Sequence, residues 1–179
     1  MLKIVTVPNI VLNTPVKPVS QIDDKIRRLV KDMEEALVVQ KDPEGVGLAA
    51  PQVDVSLSLF IIKPKKGSRI EAFINPRIVK TLDAPRKKTL RPKKRKGVPL
   101  EGCLSIPRIW GPIKRAKKIL LEYQTLEGVK KTEWFSGFKA VIIEHEMDHL
   151  QGILFTQRAI EQKHQLYEEQ DGELVKCEY

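Results

Sequence analysis

The chain has 179 residues, 41% hydrophobic and 31% charged, which is enough apolar material for one ordinary soluble domain with a full core. No run of about 18 apolar residues occurs, so no membrane span is read, and residues 1–8 lack the basic and apolar regions of a secretory or transit signal. The net charge of +9 is a local feature: Arg86, Lys87, Lys88, Arg91, Lys93, Lys94, Arg95 and Lys96 crowd one stretch, and the remainder is nearly balanced.

Residues 20–40 place Ile26, Leu29, Val30, Met33, Leu37 and Val38 at three- and four-residue steps. This predicts an amphipathic helix packed on a core, with Ser20 and Asp23 as a capping-box-like start. After Gly45 and Gly47, the apolar and β-branched runs 57–62 and 70–74 predict short strands. Asn75-Pro76 breaks the second run and residues 77–80 resume it. Residues 81–99 form a basic insertion. Runs 119–124 and 129–135 flank Glu127-Gly128, the signature of a hairpin.

A second helix is predicted from near Ser136 to Gly152, with Phe138, Val141, Ile142, His145 and His149 on one face, so its metal side is also its buried side. Asp171-Gly172 reads as a turn before a short final strand at Leu174-Val175. Cys177 reads as an incidental thiol on a frayed tail, and no disulfide with Cys103 is expected. The fold class is therefore α+β: short antiparallel strands packed around a central metal-binding helix, with an N-terminal amphipathic helix. No repeat or linker divides the chain, so residues 1–179 read as one domain.

The chemistry concentrates in His145-Glu146-Met147-Asp148-His149, which holds two of the three histidines. On a helix, positions i and i+4 stand one above the other, so both imidazoles reach one cation. Glu146 then lies beside the cation, free to take a proton from water. Catalytic sites of this kind need a third protein ligand. His164 sits in a polar stretch, whereas Cys103 sits in Glu101-Gly102-Cys103-Leu104-Ser105, where the glycine permits close backbone approach. A thiolate favours Fe(II), Zn(II), Co(II) or Ni(II) over Mg(II) or Ca(II).

With Gly45-Val46-Gly47-Leu48-Ala49-Ala50-Pro51-Gln52 added upstream, three motifs stand in an order that resembles the peptide deformylase family. The resemblance implies a cytoplasmic enzyme that removes the N-formyl group from the initiator methionine of nascent peptides, releasing formate. It implies Cys103, His145 and His149 as ligands of one metal ion, commonly Fe2+, with water completing the set. It further implies Glu146 as general base and acid, with the Gln52 amide and the Leu104 backbone N–H as donors to the formyl oxygen. Gly45, Val46, Gly47 and Gly102 would meet the substrate backbone, and Phe138, Val141 and Ile142 would wall the methionine pocket.

The chain also departs from that pattern. The insertion at 81–99 is long and basic, Leu100 stands where an acidic residue is common, and Arg108 is the sole candidate offered for the substrate-contacting arginine. The basic stretch is open to two readings, a solvated insertion or a contact with ribosomal RNA. Rival functions are a zinc endopeptidase, with Glu161, His164, Glu168 or Glu169 as downstream ligand, and a relative without activity.

Overall fold

A computed structural model describes residues 2–41, 44–82 and 99–178. The basic stretch from Arg86 to Lys96 lies outside the described residues. Among the described residues three α-helices, α1 (Asp24–Val38), α2 (Phe138–Leu150) and α3 (Phe155–Glu161), accompany nine strands. Strands β1 (Gly47–Ala49), β2 (Leu59–Ile62), β3 (Glu71–Leu82), β6 (Lys118–Gln124) and β7 (Lys130–Ser136) form one antiparallel sheet in the order β1-β2-β3-β6-β7. The other sheet, β4-β5-β8-β9, comprises β4 (Leu100–Cys103), β5 (Ile106–Pro112), β8 (Tyr167–Gln170) and β9 (Glu173–Lys176). Among the described residues no helix is long and apolar enough to cross a membrane.

At β1 and β2 the five-stranded sheet is covered on both faces, which explains why β2 is a continuous apolar run. Leu59 and Ile61 join Val30, Met33 and Leu37 of α1 in one core cluster. Phe60 and Ile62 point the other way, toward Ala140, Ile143 and Met147 of α2. The period-2 alternation of a strand thus serves two helices at once. Helix α1 starts later than residue 20, because the Asp23 carboxylate, not Ser20, accepts from the Ile26 N–H at 3.0 Å.

Three other expectations are corrected. Asn75-Pro76 does not end a strand. β3 runs through it with a bulge between Ile74 and Arg77, where Asn75 adopts φ +49°. Its side chain exchanges two 2.8 Å hydrogen bonds with the Val19 backbone, so the irregular backbone is tied down by polar contacts. Helix α2 is not one-sided. Ala140, Ile142, Ile143, Met147 and Leu150 are all buried, while Phe138 at its start is 58% exposed. The tail is not frayed: the Cys177 N–H donates to Leu166 O at 2.9 Å and its carbonyl accepts from Gln165 at 2.8 Å. Both cysteines are free thiols.

The anticipated hairpin pairs Lys118 with Ser136 through Gln124 with Lys130, and β9 spans the predicted final strand. Helix α2 packs against β1, β2 and β7, while Leu154, Phe155 and Ala159 join Cys103 and Ile106 in a third cluster. The helix carrying both histidines is therefore held on the first sheet, and the cysteine strand is brought to it by the second.

Candidate active site and metal centre

Helix α2 begins at Gly137, whose φ of +63° lets the chain turn out of β7, and it ends at Leu150 before Gly152 at φ +70°. A Cβ on Gly152 would come within 2.7 Å of the Asn13 backbone, so that exit is fixed by packing as well. Between these ends, His145 and His149 lie one turn apart, edge to face, with ring centroids 5.1 Å from each other. The Cys103 Sγ lies 3.2 Å from His149 Nε2. Donor atoms of Cys103, His145 and His149 all fall within 4.8 Å of one another.

This trio fits a transition dication on two observations. One thiolate and two imidazoles form a borderline-soft donor set of three, leaving room for a further ligand. Among the described residues, Glu146 Oε2 beside the trio is a buried atom with no hydrogen-bond partner, and an orphaned buried polar atom of this kind calls for an ion or a water. Burial by itself would push the Cys103 thiol up, but His149 and His145 outweigh it and hold the thiol well below its ordinary range. His145 is shifted the other way: burial opposes its charge, yet Cys103 and Glu101 raise it well above the usual imidazole value. Burial pushes the Glu146 carboxyl up to about 7, against the lowering influence of His145 and His149.

A carboxylate orients the first histidine. Glu101 Oε2 lies 3.2 Å from His145 Nδ1, which leaves Nε2 for a ligand and is the arrangement that sharpens metal-binding imidazoles. Glu101 is itself gripped by Arg115 at 2.9 and 3.0 Å. Arg115 also reaches Asp148 at 2.6 Å, and Asp148 receives Arg158 at 2.8 and 3.1 Å. Side chains of Arg115, Glu101 and Asp148 are only 7–9% exposed. Burial works against ionisation of Glu101, but hydrogen bonds from His145 and Arg115 hold its carboxyl below the usual range. Sequence reasoning gave these residues no role. Asp148 carried a weak signal, a charge beside His149 on a buried helix, whereas nothing local to Arg115 marks it.

Gln52 is buried in the 3-10 turn Ala50–Val53. Its side-chain oxygen accepts from the Ala49 N–H at 2.9 Å, so the amide NH2 points to Ser105 Oγ at 3.2 Å and Cys103 Sγ at 3.6 Å. The N-terminal segment braces this corner: the Val5 N–H donates to Gln52 O and the Val7 N–H to Ser105 O.

A cleft of about 270 Å³ opens beside the trio, bounded by β1 and β4, the edge strands of the two sheets. Val46, Gly47, Gly102, Leu104, Phe138, Val141 and Ile142 line it together with Gln52, Cys103, His145 and Glu146. Gly45 does not. A Cβ there would meet Leu37 at 2.6–2.7 Å, so this glycine serves packing on α1. Gly47 has the opposite reason, because a Cβ there would collide with the Glu146 carboxylate and lie 2.9 Å from Ile142. Gly47→Ala is expected to displace Glu146 and lower activity about 100-fold, as small misplacements of catalytic groups do, with the fold retained. Far-ultraviolet circular dichroism and turnover measured together check this.

Arg108 is absent from the cleft. Its φ is +66° and its guanidinium donates to Glu169 O at 2.9 and 2.7 Å. His164 lies by Pro112 O at 2.6 Å, and none of Glu161, His164, Glu168 or Glu169 joins the trio.

The family model for polypeptide deformylase matches residues 1–165. The chain belongs to the polypeptide deformylase family. Peptide deformylase from Dictyoglomus turgidum is 40% identical over 152 residues, covering 85% of this chain and 88% of that protein. The Borreliella burgdorferi enzyme is 39% identical over 154 residues, covering 86% and 85%. The crystal structure of peptide deformylase from Thermotoga maritima aligns with a TM-score of 0.74 at 34% identity, over 88% of this chain and 97% of that one. That from Synechococcus elongatus, in complex with actinonin, gives 0.76 at 31% identity, over 88% and 79%. This deformylase chain therefore acts as a hydrolase that removes the N-formyl group from nascent peptides, and it carries a metal-binding group.

Proposed function

We propose that residues 1–179 form one catalytic domain in which Cys103, His145 and His149 hold a single Fe2+ ion. The same donors accommodate Zn2+, Ni2+ or Co2+. When bound, the cation supplies Lewis acidity and lowers the pKa of a water molecule at the formyl carbon. Glu146 accepts that water's proton and returns it to the departing amine, so formate and a free N-terminus result. As the formyl carbon becomes tetrahedral, charge collects on its oxygen, where the Gln52 amide and the Leu104 N–H donate. The fixed orientation of the Gln52 amide supports this role, since a donor that does not reorganise stabilises charge best.

The substrate peptide lies between β1 and β4. Two sheet edges at one cleft, unpaired among the described residues, suit an extended chain that adds main-chain hydrogen bonds whatever its sequence. Val46, Gly47 and Gly102 meet its backbone, while Phe138, Val141 and Ile142 enclose the methionine side chain. A peptide deformylase from Acinetobacter baumannii, similar to this chain at 29% identity, has been crystallised with Met-Ala-Ser bound. The enzyme works in the cytoplasm.

The proximity of Cys103 to both histidines carries this reading. Protein stripped of metal and reloaded anaerobically with iron or nickel is expected to release formate from formyl-Met-Ala-Ser. Failure with every metal, or scission of an internal peptide bond, sinks it.

A further inference from the structure

Helix α2 supplies the cleft wall assigned above to methionine. The β4–β5 pair lines the same cleft through Leu100, Glu101, Gly102, Cys103 and Trp110. Trp110 stands opposite Gly102 on β4 and Tyr167 on β8. A Cβ on Gly102 would approach the indole ring carbons to 2.8–3.2 Å, so the ring lies directly against that backbone. The indole N–H donates to Glu169 Oε2 at 2.9 Å. The Glu169 carbonyl accepts from Nε and Nη2 of Arg108, and Arg108 does not line the cleft. Glu169 lies on β8, beyond the residues 1–165 that the family model matches.

We propose that Trp110 determines specificity for the residues that follow the formyl-methionine, and that Glu169 is the positioning residue that holds its ring. The inference rests on the deformylase reading of the same cleft. The indole meets the cleft with carbon, and its polar edge is already satisfied outside. The other ionisable groups lining the cleft are Glu44, Glu101, Cys103, His145 and Glu146, with no lysine or arginine among the described residues there. Such a surface favours apolar and aromatic side chains after the methionine.

The test compares metal-loaded enzyme and variants on formyl-Met-Phe-Ser and formyl-Met-Asp-Ser, with formyl-Met-Ala-Ser as reference. Trp110→Ala is expected to raise KM for the phenylalanine peptide about two- to tenfold with kcat nearly unchanged, the range of one aromatic contact. KM for the aspartate peptide should move less than about twofold. Glu169→Leu should reproduce this pattern, and Glu169→Gln, which keeps an acceptor oxygen, should restore it. The second readout is independent of turnover. The chain has two tryptophans, so Trp134→Phe leaves Trp110 as the only indole. Its fluorescence anisotropy should fall in Glu169→Leu and hold in Glu169→Gln. Equal KM changes for all three peptides, or an anisotropy indifferent to Glu169→Leu, would overturn the proposal. A wild-type enzyme inactive on formyl-Met-Ala-Ser would instead remove the deformylase reading, with the anisotropy comparison still deciding whether Glu169 positions Trp110.

Discussion

Glu146→Ala is expected to lower formate release from a formyl-methionyl peptide by about 10² to 10⁴-fold, the usual share of one general acid–base group. Metal content, read by plasma mass spectrometry, should stay at the wild-type level. The two halves of this expectation come from one piece of geometry. The ligand atoms that cluster belong to Cys103, His145 and His149, whereas Glu146 Oε2 is buried beside them without a partner among the described residues. A residue that moves protons and holds no ion can be deleted with the site intact. Glu146→Gln gives a second check, since it keeps the volume and loses the basicity. Loss of the metal with the activity would make Glu146 a ligand, and retention of more than about a tenth of the rate would remove it from proton transfer.

Arg115→Met should destabilise the fold by about 3–5 kcal/mol, the cost of leaving buried charges without their partner. For a domain of this length that corresponds to a fall in Tm of roughly 6–20 °C. Glu101 would lose both of its arginine hydrogen bonds and Asp148 would lose its shortest one, in a region less than a tenth exposed. The effect should extend to the metal. Glu101 orients His145, and disturbing such outer partners typically weakens metal affinity about 10–100-fold. Competition with a chromogenic chelator at a temperature where both proteins are folded separates the two consequences. A variant with unchanged Tm and unchanged affinity would show the buried network to be idle.

These two expectations differ in how far the sequence foretold them. The pairing of His145 with His149 was legible because a helix brings residues four apart onto one face, and Glu146 between them reaches the same cleft. Cys103 was legible through its motif, and its distance to His149 shows why a separate strand had to carry it. The hairpin of β6 and β7 was equally readable, since its turn and its alternation are local. Asn75-Pro76 misled for a related reason. Local chemistry said break, but the long-range bonds of Asn75 to Val19 hold the strand together through a bulge. Gly45 misled in the same way, its contact with Leu37 being invisible along the chain.

The sequence by itself determined the fold class, the metal-binding group and the identity of the family, because each rests on patterns of short period or on contiguous motifs. Only the tertiary structure decided what surrounds them. Arg115 between Glu101 and Asp148, Glu169 on the Trp110 indole, and Arg108 on the Glu169 carbonyl are contacts between residues 14 to 61 positions apart. Charges and aromatic rings at such separations leave no periodic trace, and their partners are chosen by which sheet edges and helix faces the packed core brings together.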